Sequence, residues 1–549
     1  SGEGDLVVAS FHELQPLLEK ALSQERQDEV AREMVVTANG LAKAAEILAD
    51  RFTLVATNVP FLSIRRQGPE LRSYLQQSYP DSKACLSAAF VERCIDLCQL
   101  NGTACLVTPQ HWLFQDSYVE MRRASLSKMD WRFLARLGTG AFETITGEIV
   151  NVALLAITRP SKLVNQRFTG IDCEQLSEPL AKRMALRDAD PIFARQDAMI
   201  NNPDSRVTLT TIAGGKLLES FANAPQGIIT GDLDRWQRFF WEFGAIVDPW
   251  QPFLSTTPAS EDYAGRQHVV DWSDQGAAMI RPRPGNIALG KFGIAVSQMG
   301  GLPVSLYCGE LYDGNVAPIV PIDPRHVAAI WSMVTDEVFR SEIKKLDKNT
   351  KITNGVLLKA PFDLARWSKV ATEKYPTGLP KPTSNDPTQW LFNGHPQSAD
   401  QPLHVAVARL LGFPWPRQAG SSFLDCPALG SDGLESLADA DGIVPISPTK
   451  GEAAAAERLR DLLARVYGDE WSASRQQELL AQVESAGDSL EDWLRNAFFE
   501  QHCRLFQNRP FIWHIWDGHK SGFSALVNYH NLTHANLEKL TYAYLGDWN

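Results

Sequence analysis

Between residues 52 and 160, short apolar runs alternate with amphipathic runs, and this alternation restricts the possible folds more than any other feature of the sequence. TLVATNVPF, TACLVTP, WRFLARLG and EIVNVALLAITRP each predict a strand. LSAAFVERCIDLCQLNG, stopped by Asn101-Gly102, and SYVEMRRASLSKM predict helices between them. Strand, helix, strand, helix, strand in this order favours an open α/β sheet with a parallel core.

Beyond Arg159-Pro160 the alternation ends, which indicates further regions. Strand-like pieces such as KFGIAVSQMGGLPVSLYCG are mixed with the helical runs WQRFFWEF and PRHVAAIWSMVTDEVFRSEIKKL. KYPTGLPKPTSNDPTQW, rich in Pro, Thr and Asn, is the best linker candidate. EAAAAERLRDLLARVYG and the run that starts with SRQQELL predict a helical end, and residues 10–50 also have helical periodicity. We therefore predict three regions, at residues 1–160, 161–375 and 376–549.

Composition narrows the class of protein. The 53 Lys and Arg residues against 65 Asp and Glu give a net charge of -12, which excludes a wholly basic binder but not a local basic groove. No apolar run reaches the roughly 18 residues of a membrane helix, and the segment SGEGDLVVAS lacks the basic region followed by an apolar run that marks a secretion leader. Eight cysteines without a CxxC pair indicate reduced, buried thiols. We expect a soluble cytoplasmic protein without membrane contact.

The tetrapeptide Asn58-Val59-Pro60-Phe61 follows the strand TLVAT, where ligands of an open α/β sheet gather. The Asn58 side-chain carbonyl and the next main-chain carbonyl can accept two hydrogen bonds from an exocyclic amine. Pro60 stiffens the turn, and Phe61 offers a face for a planar base. Taken alone, the tetrapeptide also fits an ordinary strand-to-loop turn.

The surrounding blocks make this pattern more specific. VATNVPFL, SAAFVERCIDLCQLNGTACLVTPQHWLF and RFLARLGTGAFETITGEIVNVALLAITR occur in the order typical of the catalytic half of amino-directed DNA methyltransferases. The chain resembles the adenine-N6 methyltransferases of the type IIG restriction–modification group, above all the large methylases of BREX and DISARM phage defence. GIITGDLDRWQRFFWE, KITNGVLLKAPFDLARW and FIWHIWDGHKSGFSALVNYH extend the resemblance over most of the chain. It implies a partial Rossmann-like methyltransferase sheet, then a mixed α+β target-recognition region and a helical carboxyl-terminal region.

The resemblance also assigns roles at the tetrapeptide. Asn58 and the Val59 carbonyl would hold the N6 amine of an adenine, and Phe61 would stack on that base once it has left the duplex. The family motif is usually Asn-Pro-Pro-Tyr or Asn-Pro-Pro-Phe, and Val59 stands in place of its first proline. A main-chain carbonyl is still present, so the substitution puts rate in doubt more than reaction type.

Further residues take roles by the same resemblance. Phe90 matches an aromatic residue that lies against the cofactor's adenine ring, although a buried helix Phe is an equally good interpretation. Phe142 of GTGAF matches an aromatic residue near the target base, and closing a core is again an equal alternative. For DNA phosphates we favour Arg65-Arg66, just after the tetrapeptide. His111 could act as a base, but a solvated loop histidine is the preferred interpretation.

Other cations and the last histidines have simpler interpretations. Solvated faces are preferred for Arg122-Arg123, Arg281, Arg283 and the lysines at 344, 345 and 348. The spacing of the five histidines between residues 502 and 534 matches no metal motif, so we expect an aromatic core there and no metal.

The cofactor implied by the resemblance is S-adenosylmethionine, and the partner is double-stranded DNA. Only 57 residues precede Asn58, and none of them matches the Gly-containing cofactor loop that the family carries far upstream. We therefore expect the cofactor half to be missing, disordered or supplied by another polypeptide, and we expect other defence-system subunits as further candidate partners. Two alternatives stay open, a catalytically silent DNA-recognition scaffold of the same fold and a cytosine-N4 DNA methyltransferase.

Overall fold

A computed structural model describes residues 43–142, 150–163, 167–209, 216–347, 349–449, 451–484, 487–519 and 522–548, together with residues 37, 40 and 41. The chain divides into two compact units, which we describe separately. The first comprises Ser1–Gly214 with Lys345–Asp347, and the second comprises Gly215–Lys344 with Lys348–Asn549. Residues 43–49 are helical, as their periodicity predicts, while most of the helical prediction for residues 10–50 lies outside the described residues.

A six-stranded mixed sheet forms the centre of the first unit, with strand order β1-β2-β4-β3-β5-β6. The strands are β1 (Phe52–Asn58), β2 (Cys98–Pro109), β3 (Asp130–Gly138), β4 (Val152–Thr158), β5 (Arg167–Asp172) and β6 (Ile192–Arg195). β1 runs parallel to β2 and β3 parallel to β5, whereas β4 is antiparallel to both its neighbours. The α/β class is confirmed, but the predicted parallel core is wrong for the middle of the sheet. β3 and β4 are consecutive and pair side by side, and antiparallel neighbours need no crossover helix.

The first unit contains five helices in its described residues between 69 and 200, of which the second and third lie where amphipathic runs predict them. They are α1 (Pro69–Ser78), α2 (Leu86–Asp96), α3 (Val119–Lys128), α4 (Pro179–Asp188) and α5 (Gln196–Ile200).

α2 ends at Asp96, before the predicted stop at Asn101-Gly102. The N–H of Phe52 donates to Leu97 O at 2.8 Å, and Phe52 pairs with Cys98. Pairing of β2 with β1 therefore begins directly after the end of α2. Asn101 instead lies inside β2 with a φ of 66°, where the β1–β2 register shifts. Residue 102 must be glycine there, because a Cβ would lie 2.6 Å from Phe52 O.

The sheet continues past residue 160, where the sequence predicts a new region, because β5 and β6 complete its far side. The compact unit accordingly extends to Gly214. The functional boundaries at 1–160, 161–375 and 376–549 stay predictions. A buried aromatic row joins sheet and helices in this unit: the ring centroids of Trp112 and Trp131 are 5.9 Å apart, and those of Trp131 and Phe168 are 5.7 Å apart.

Two four-stranded sheets occupy the first half of the second unit, ordered β13-β9-β10-β8 and β12-β11-β14-β7. Their strands are β7 (Ala222–Asn223), β8 (Gln237–Phe239), β9 (Trp250–Leu254), β10 (His268–Asp271), β11 (Gly293–Ser297), β12 (Val304–Tyr307), β13 (Leu311–Tyr312) and β14 (Val316–Pro321).

The helix predicted for WQRFFWEF is wrong. Only α6 (Leu233–Trp236) is helical there; the next residues form β8 and a 3-10 turn at Phe240–Glu242. β8 pairs with β10, and the Phe239 ring stacks on Trp241 at 4.5 Å and on His268 at 4.7 Å. Sheet pairing and ring stacking therefore override helical periodicity in this aromatic run.

The remaining helices confirm most of the helical predictions. They are α7 (Val327–Val334), α8 (Glu337–Leu346), α9 (Asn354–Leu357), α10 (Leu364–Lys374), α11 (Pro402–Leu410), α12 (Ala455–Tyr467), α13 (Ala473–Ala481), α14 (Leu490–Asn496), α15 (Phe498–Leu505), α16 (His534–Glu538) and α17 (Leu545–Trp548), with a π-helix at Lys539–Tyr544. A small antiparallel sheet of order β15-β17-β16 accompanies them. Its strands are β15 (Ile443–Pro445), β16 (Ile512–Trp516) and β17 (Ser524–Asn528).

The predicted linker packs inside the second unit instead of joining two units. Its last residue, Trp390, is fully buried, and the main-chain N–H of Trp390 donates to Arg266 O at 2.8 Å. The N–H of Arg266 donates to Gln389 Oε1 at 2.7 Å. Pro and Thr content indicated an exposed segment, but buried hydrogen bonds and an indole ring fix it.

Of the five carboxyl-terminal histidines, His502, His514 and His530 pack against aromatic rings as predicted, whereas His519 and His534 are exposed. His502 is fully buried between Phe498 and Phe511, and His530 stacks on Phe413 with ring centroids 5.7 Å apart. In the described part of the chain, no cluster of three or more His, Cys, Asp or Glu side chains is arranged to hold a metal ion. None of the described helices is both long enough and apolar enough to cross a membrane.

Candidate functional site

The tetrapeptide lies at the carboxyl end of β1, and the sheet fixes its backbone. Asn58 pairs with Val107 of β2, and the N–H of Val59 donates to Val107 O at 3.1 Å. Val59 is 2% exposed and belongs to the core, whereas Asn58, Pro60 and Phe61 are exposed. The Asn58 side chain has no hydrogen-bond partner among the described residues. A rigid main chain therefore presents an unused amide and an aromatic ring.

The loop that follows is tied to the segment before α2. Leu62 O accepts from the N–H of Leu86 at 2.9 Å, and the N–H of Ile64 donates to Ala84 O at 3.1 Å. Arg72 of α1 donates to Ile64 O at 2.8 Å. The 3-10 turn Ile64–Arg66 carries Arg65 and Arg66 on the surface, four and five residues after Phe61.

Register brings four strand ends to one edge of the sheet, which we call the strand-end edge. Asn58 pairs with Val107, and two residues later Pro109 pairs with Val152, which also pairs with Gly138. β1, β2 and β3 therefore end, and β4 begins, at the same level. β1 and β3 are three strand spacings apart, about 14 Å.

Phe142 lies four residues beyond Gly138, on the loop that leaves the strand-end edge. Its ring is half-buried and packs against a cluster of buried residues, namely Ala135, Leu137, Val152, Ile171 and Cys173. Phe142 is thus close enough along the chain to serve this edge, and it also closes a core. Its role beside a base stays a prediction.

Phe90 lies on α2 and is half-buried against the main core of the first unit. Its position combines the two interpretations that the sequence allows, since one part of the ring packs inward and another part stays accessible. The role of Phe90 toward a cofactor stays a prediction.

His111 is not the solvated loop residue that the sequence indicates. It lies in the 3-10 turn Gln110–Leu113, and its Nε2 is 3.2 Å from the hydroxyl of Tyr118. Burial lowers the pKa of His111 to about 4, so the ring is neutral at pH 7. Such a histidine is a weak base, and it already has a partner.

A buried polar network behind the strand-end edge was not identified from the sequence. Gln110 is fully buried; its N–H donates to Asn151 O at 2.8 Å, and its Oε1 accepts from Arg136 Nε at 3.3 Å. Arg136 also pairs with Glu174 at 3.0 Å, where both side chains are less than a tenth exposed. Gln110 Nε2 is buried without a partner in the described residues. Only sheet pairing brings these distant residues together, so no local signal indicates them.

A buried lysine holds the end of β3 from the other side. Lys182 of α4 donates to the main-chain oxygens of Leu137, Leu176 and Cys173. Burial lowers its pKa. Because Leu137 precedes the loop that carries Phe142, Lys182 stabilises the base of that loop.

Arg122 is neither a DNA-facing nor a solvated residue. It is fully buried and donates to Trp112 O and Gln115 O, each at 2.7 Å, and to Asp204 O at 2.8 Å. Arg123 instead pairs with Glu120 on the surface at 2.9 Å. Lys348 lies outside the described residues. Arg122 thus stabilises the first unit and is removed from the candidates for DNA contact.

Comparisons with known proteins find relatives of the amino-terminal part of the chain. Residues 9–139 match the Eco57I restriction-modification methylase family. A segment of 132 residues is 31% identical to the adenine-specific methyltransferase BrxX of Escherichia coli O9:H4 (strain HS), and 151 residues are 28% identical to the adenine-specific methyltransferase PglX of Lacticaseibacillus casei (strain Zhang). These segments are 24% and 26% of this chain but only 11% and 12% of the relatives. The predicted relationship to restriction–modification and BREX methylases is confirmed for this part.

Solved structures give weaker overall likenesses. A nuclease-deletion mutant of the Type ISP restriction-modification enzyme LlaGI with a DNA substrate mimic has a TM-score of 0.41 at 9% identity, over 67% of this chain and 38% of that one. The Type IIL restriction-modification enzyme MmeI in complex with DNA has a TM-score of 0.40 at 10% identity, over 78% of this chain and 55% of that one.

Proposed function

We propose that this chain is the catalytic and DNA-recognising part of an S-adenosylmethionine-dependent DNA methyltransferase, which modifies the N6 amine of an adenine in a phage-defence or restriction–modification system. The observation that carries the proposal is the unused Asn58 amide, held at the end of β1 within a segment related to adenine-specific methyltransferases. Since the substrate would be cellular and phage DNA, the enzyme would act in the cytoplasm.

Asn58 and Val59 would grip the amine together. The Asn58 side-chain carbonyl accepts one N6 hydrogen, and the Val59 main-chain carbonyl accepts the other. The Val59 main chain is already fixed by its hydrogen bond to Val107 O at 3.1 Å, so its direction does not need a proline. Two acceptors hold the nitrogen lone pair in line for transfer, which is a positioning effect.

The aromatic residues of the strand-end edge would receive the flipped base. Extrusion of a base from the duplex costs a few kcal/mol, and stacking with edge hydrogen bonds offsets that cost. Phe61 is 38% exposed, so a ring face is available for stacking. Phe142 would border the same base from the β3 side, and Arg65 and Arg66 would contact phosphates next to it.

The cofactor would supply an electrophilic methyl group. Within the described residues Phe90 offers a partial aromatic face for its adenine ring, which fits as one wall of a site. β1 pairs with β2 along one side, no described strand pairs with its other side, and Leu54 on it is 61% exposed. An exposed apolar edge strand favours a further strand beside it. We therefore propose that a cofactor-binding half, from this protein or a second polypeptide, pairs along β1.

Methyl transfer from labelled S-adenosylmethionine to unmodified DNA tests the proposal, with the full-length protein and any co-purifying subunit. Label should appear on adenine, and Asn58→Ala should lower the rate by about 100- to 1000-fold, the range for losing one transition-state contact. Asn385→Ala, an exposed asparagine of the second unit, is the matched control and should keep the wild-type rate.

Other outcomes separate the alternatives. Label on cytosine N4 would identify the amine as that of cytosine. DNA binding without any label, in wild type and Asn58→Ala alike, would support a silent recognition scaffold and overturn the proposal.

A further inference from the structure

A cavity of about 580 Å³ opens in the second unit, and we call it the aromatic cavity. Three rings line it, from Trp272, Trp390 and Phe423, together with aliphatic side chains such as Leu289. Gln251 and Ser422 add polar groups. A cavity of this size that combines aromatic faces with polar groups is typical of a site for a small molecule or a single chemical group.

The floor of the aromatic cavity is rigid. Trp390 is fully buried, and its ring packs on Phe423 with centroids 4.4 Å apart. Its main chain is hydrogen-bonded to Arg266, whose Cζ lies 5.5 Å from the Trp390 ring. Arg266 is in turn fixed by Leu306 O at 2.7 Å and by Glu310 at 2.7 Å. The floor can therefore receive a ligand without reorganising.

The charges around the aromatic cavity are already compensated. Burial disfavours the charged form of Arg266, but the Glu310 carboxylate and other nearby groups together outweigh burial, so the pKa of Arg266 is raised. Burial also raises the pKa of the Cys308 thiol to about 12, so the thiol stays neutral. A cavity with a compensated ion pair and a neutral thiol favours an uncharged ligand.

One buried donor in the floor lacks an acceptor. Trp390 Nε1 is buried and has no hydrogen-bond partner in the described part of the second unit. On the rim, the Ser422 hydroxyl has no partner among those residues either, and Gln251 uses its Nε2 on Asp248 at 3.1 Å while its Oε1 accepts no described hydrogen bond. Trp390 Nε1 is sealed within the floor, whereas Ser422 is exposed and Gln251 is half-buried. A planar ring with polar edge atoms can therefore stack in the cavity and bond to these two rim groups.

We propose that the aromatic cavity binds a single unstacked nucleobase. The base stacks on the half-buried Trp272 and Phe423 rings, and its polar edge meets the Ser422 hydroxyl and Gln251 Oε1 on the rim. This inference rests on the proposed function for the source of the base, which is the DNA. It adds a second base site, in a different unit from the strand-end edge.

The test measures affinity for two fluorescently labelled duplexes, one fully paired and one with a single unpaired base. Trp272→Ala removes a stacking face and should weaken binding of the bulged duplex by about 5- to 150-fold, because a base–aromatic stack is worth about 1–3 kcal/mol. Affinity for the paired duplex should stay within about twofold. A base of that duplex could enter the cavity only after it had been extruded from the helix.

Two further variants separate ligand binding from folding. Ser422→Trp fills the rim at an exposed position and should also reduce binding of the bulged duplex. Trp516→Ala, an exposed tryptophan of β16, is the matched control and should change neither affinity. Thermal unfolding of each variant checks that the second unit is intact.

The outcomes distinguish this inference from the proposed function. Equal loss on both duplexes, or none on either, would overturn the nucleobase site, whether or not methyl transfer is seen. Crosslinking of a 5-iodouracil bulge to the Trp272 or Phe423 peptide would support the site even if Asn58→Ala leaves methylation unchanged. Displacement of the oligonucleotide by a tryptophan-containing peptide at equal affinity would assign the cavity to a protein side chain and overturn it.

Discussion

The strand-end edge and the aromatic cavity use different means to hold a planar ring. At the strand-end edge, β-sheet register fixes the main chain, and the working side chains of Asn58 and Phe61 are exposed. In the aromatic cavity, a buried ion pair and a buried indole make a rigid floor. The exposed side chains of the strand-end edge suit a reaction that needs access for two substrates. The rigid floor of the aromatic cavity suits recognition of one bound ring. The energetic risk also differs, because Arg266 below the aromatic cavity is completely buried, whereas Arg136 behind the strand-end edge keeps a small exposed fraction.

The largest expected effect concerns the two buried ion pairs, one in each unit. Glu310→Ala leaves the fully buried Arg266 without its carboxylate and should lower the free energy of unfolding by about 3–5 kcal/mol. Glu174→Ala removes the partner of Arg136, whose side chain is 6% exposed, and should cost less. Chemical denaturation of both variants measures the two losses in the free energy of unfolding. A larger loss for Glu174→Ala would contradict a ranking by burial.

The Glu174→Ala variant sharpens the comparison further, because Arg136 orients Gln110 behind the strand-end edge. We expect this variant to slow methyl transfer more than Glu310→Ala does, at equal fraction folded. Rates measured at a temperature where both variants are folded decide this. Glu174→Gln keeps an acceptor for Arg136. A methyl-transfer rate restored to the wild-type value in this variant would indicate that a hydrogen bond to Arg136 is enough to position Gln110.

A smaller effect is expected from pH. Burial lowers the pKa of His404 in the second unit to about 4, against about 6.5 when unfolded. Below pH 6.5 the unfolded chain binds more protons at His404 than the folded chain does. The contribution of His404 to the free energy of unfolding is therefore fully present above pH 6.5 and falls by up to about 3 kcal/mol as the pH approaches 4. Unfolding free energies from pH 7 to 4 should therefore fall less steeply in His404→Gln than in wild type. His534→Gln, at an exposed histidine, should leave the slope unchanged.

The smallest expected effect is that of Val59→Pro, which restores the usual family motif. The N–H of Val59 donates to Val107 O, and proline would remove this bond at a cost of about 1 kcal/mol. We expect slightly lower stability and no gain in methyl-transfer rate. A severalfold faster variant would show that backbone stiffness, not sheet register, limits the positioning of Asn58.

The sequence by itself determined the elements whose signals are local. The strand that ends at Asn58 and the helix α12 (Ala455–Tyr467) follow from periodicity within a dozen residues, and the structure has them where predicted. The position of Asn58-Phe61 after a strand is likewise local, so the candidate site could be found. The roles of these residues stay predictions.

Tertiary structure decided whatever depends on contacts between distant residues. WQRFFWEF has helical periodicity but pairs as a strand with β10, and the predicted linker is fixed by Arg266, over 120 residues away along the chain. Arg122 has the positive charge expected of a DNA contact, yet it is buried and donates five hydrogen bonds to main-chain oxygens. Gln110, Arg136 and Glu174 meet only because β2, β4, β3 and β5 pair side by side. Local sequence encodes propensity, whereas burial and pairing over long separations determine which charges and rings become available for function.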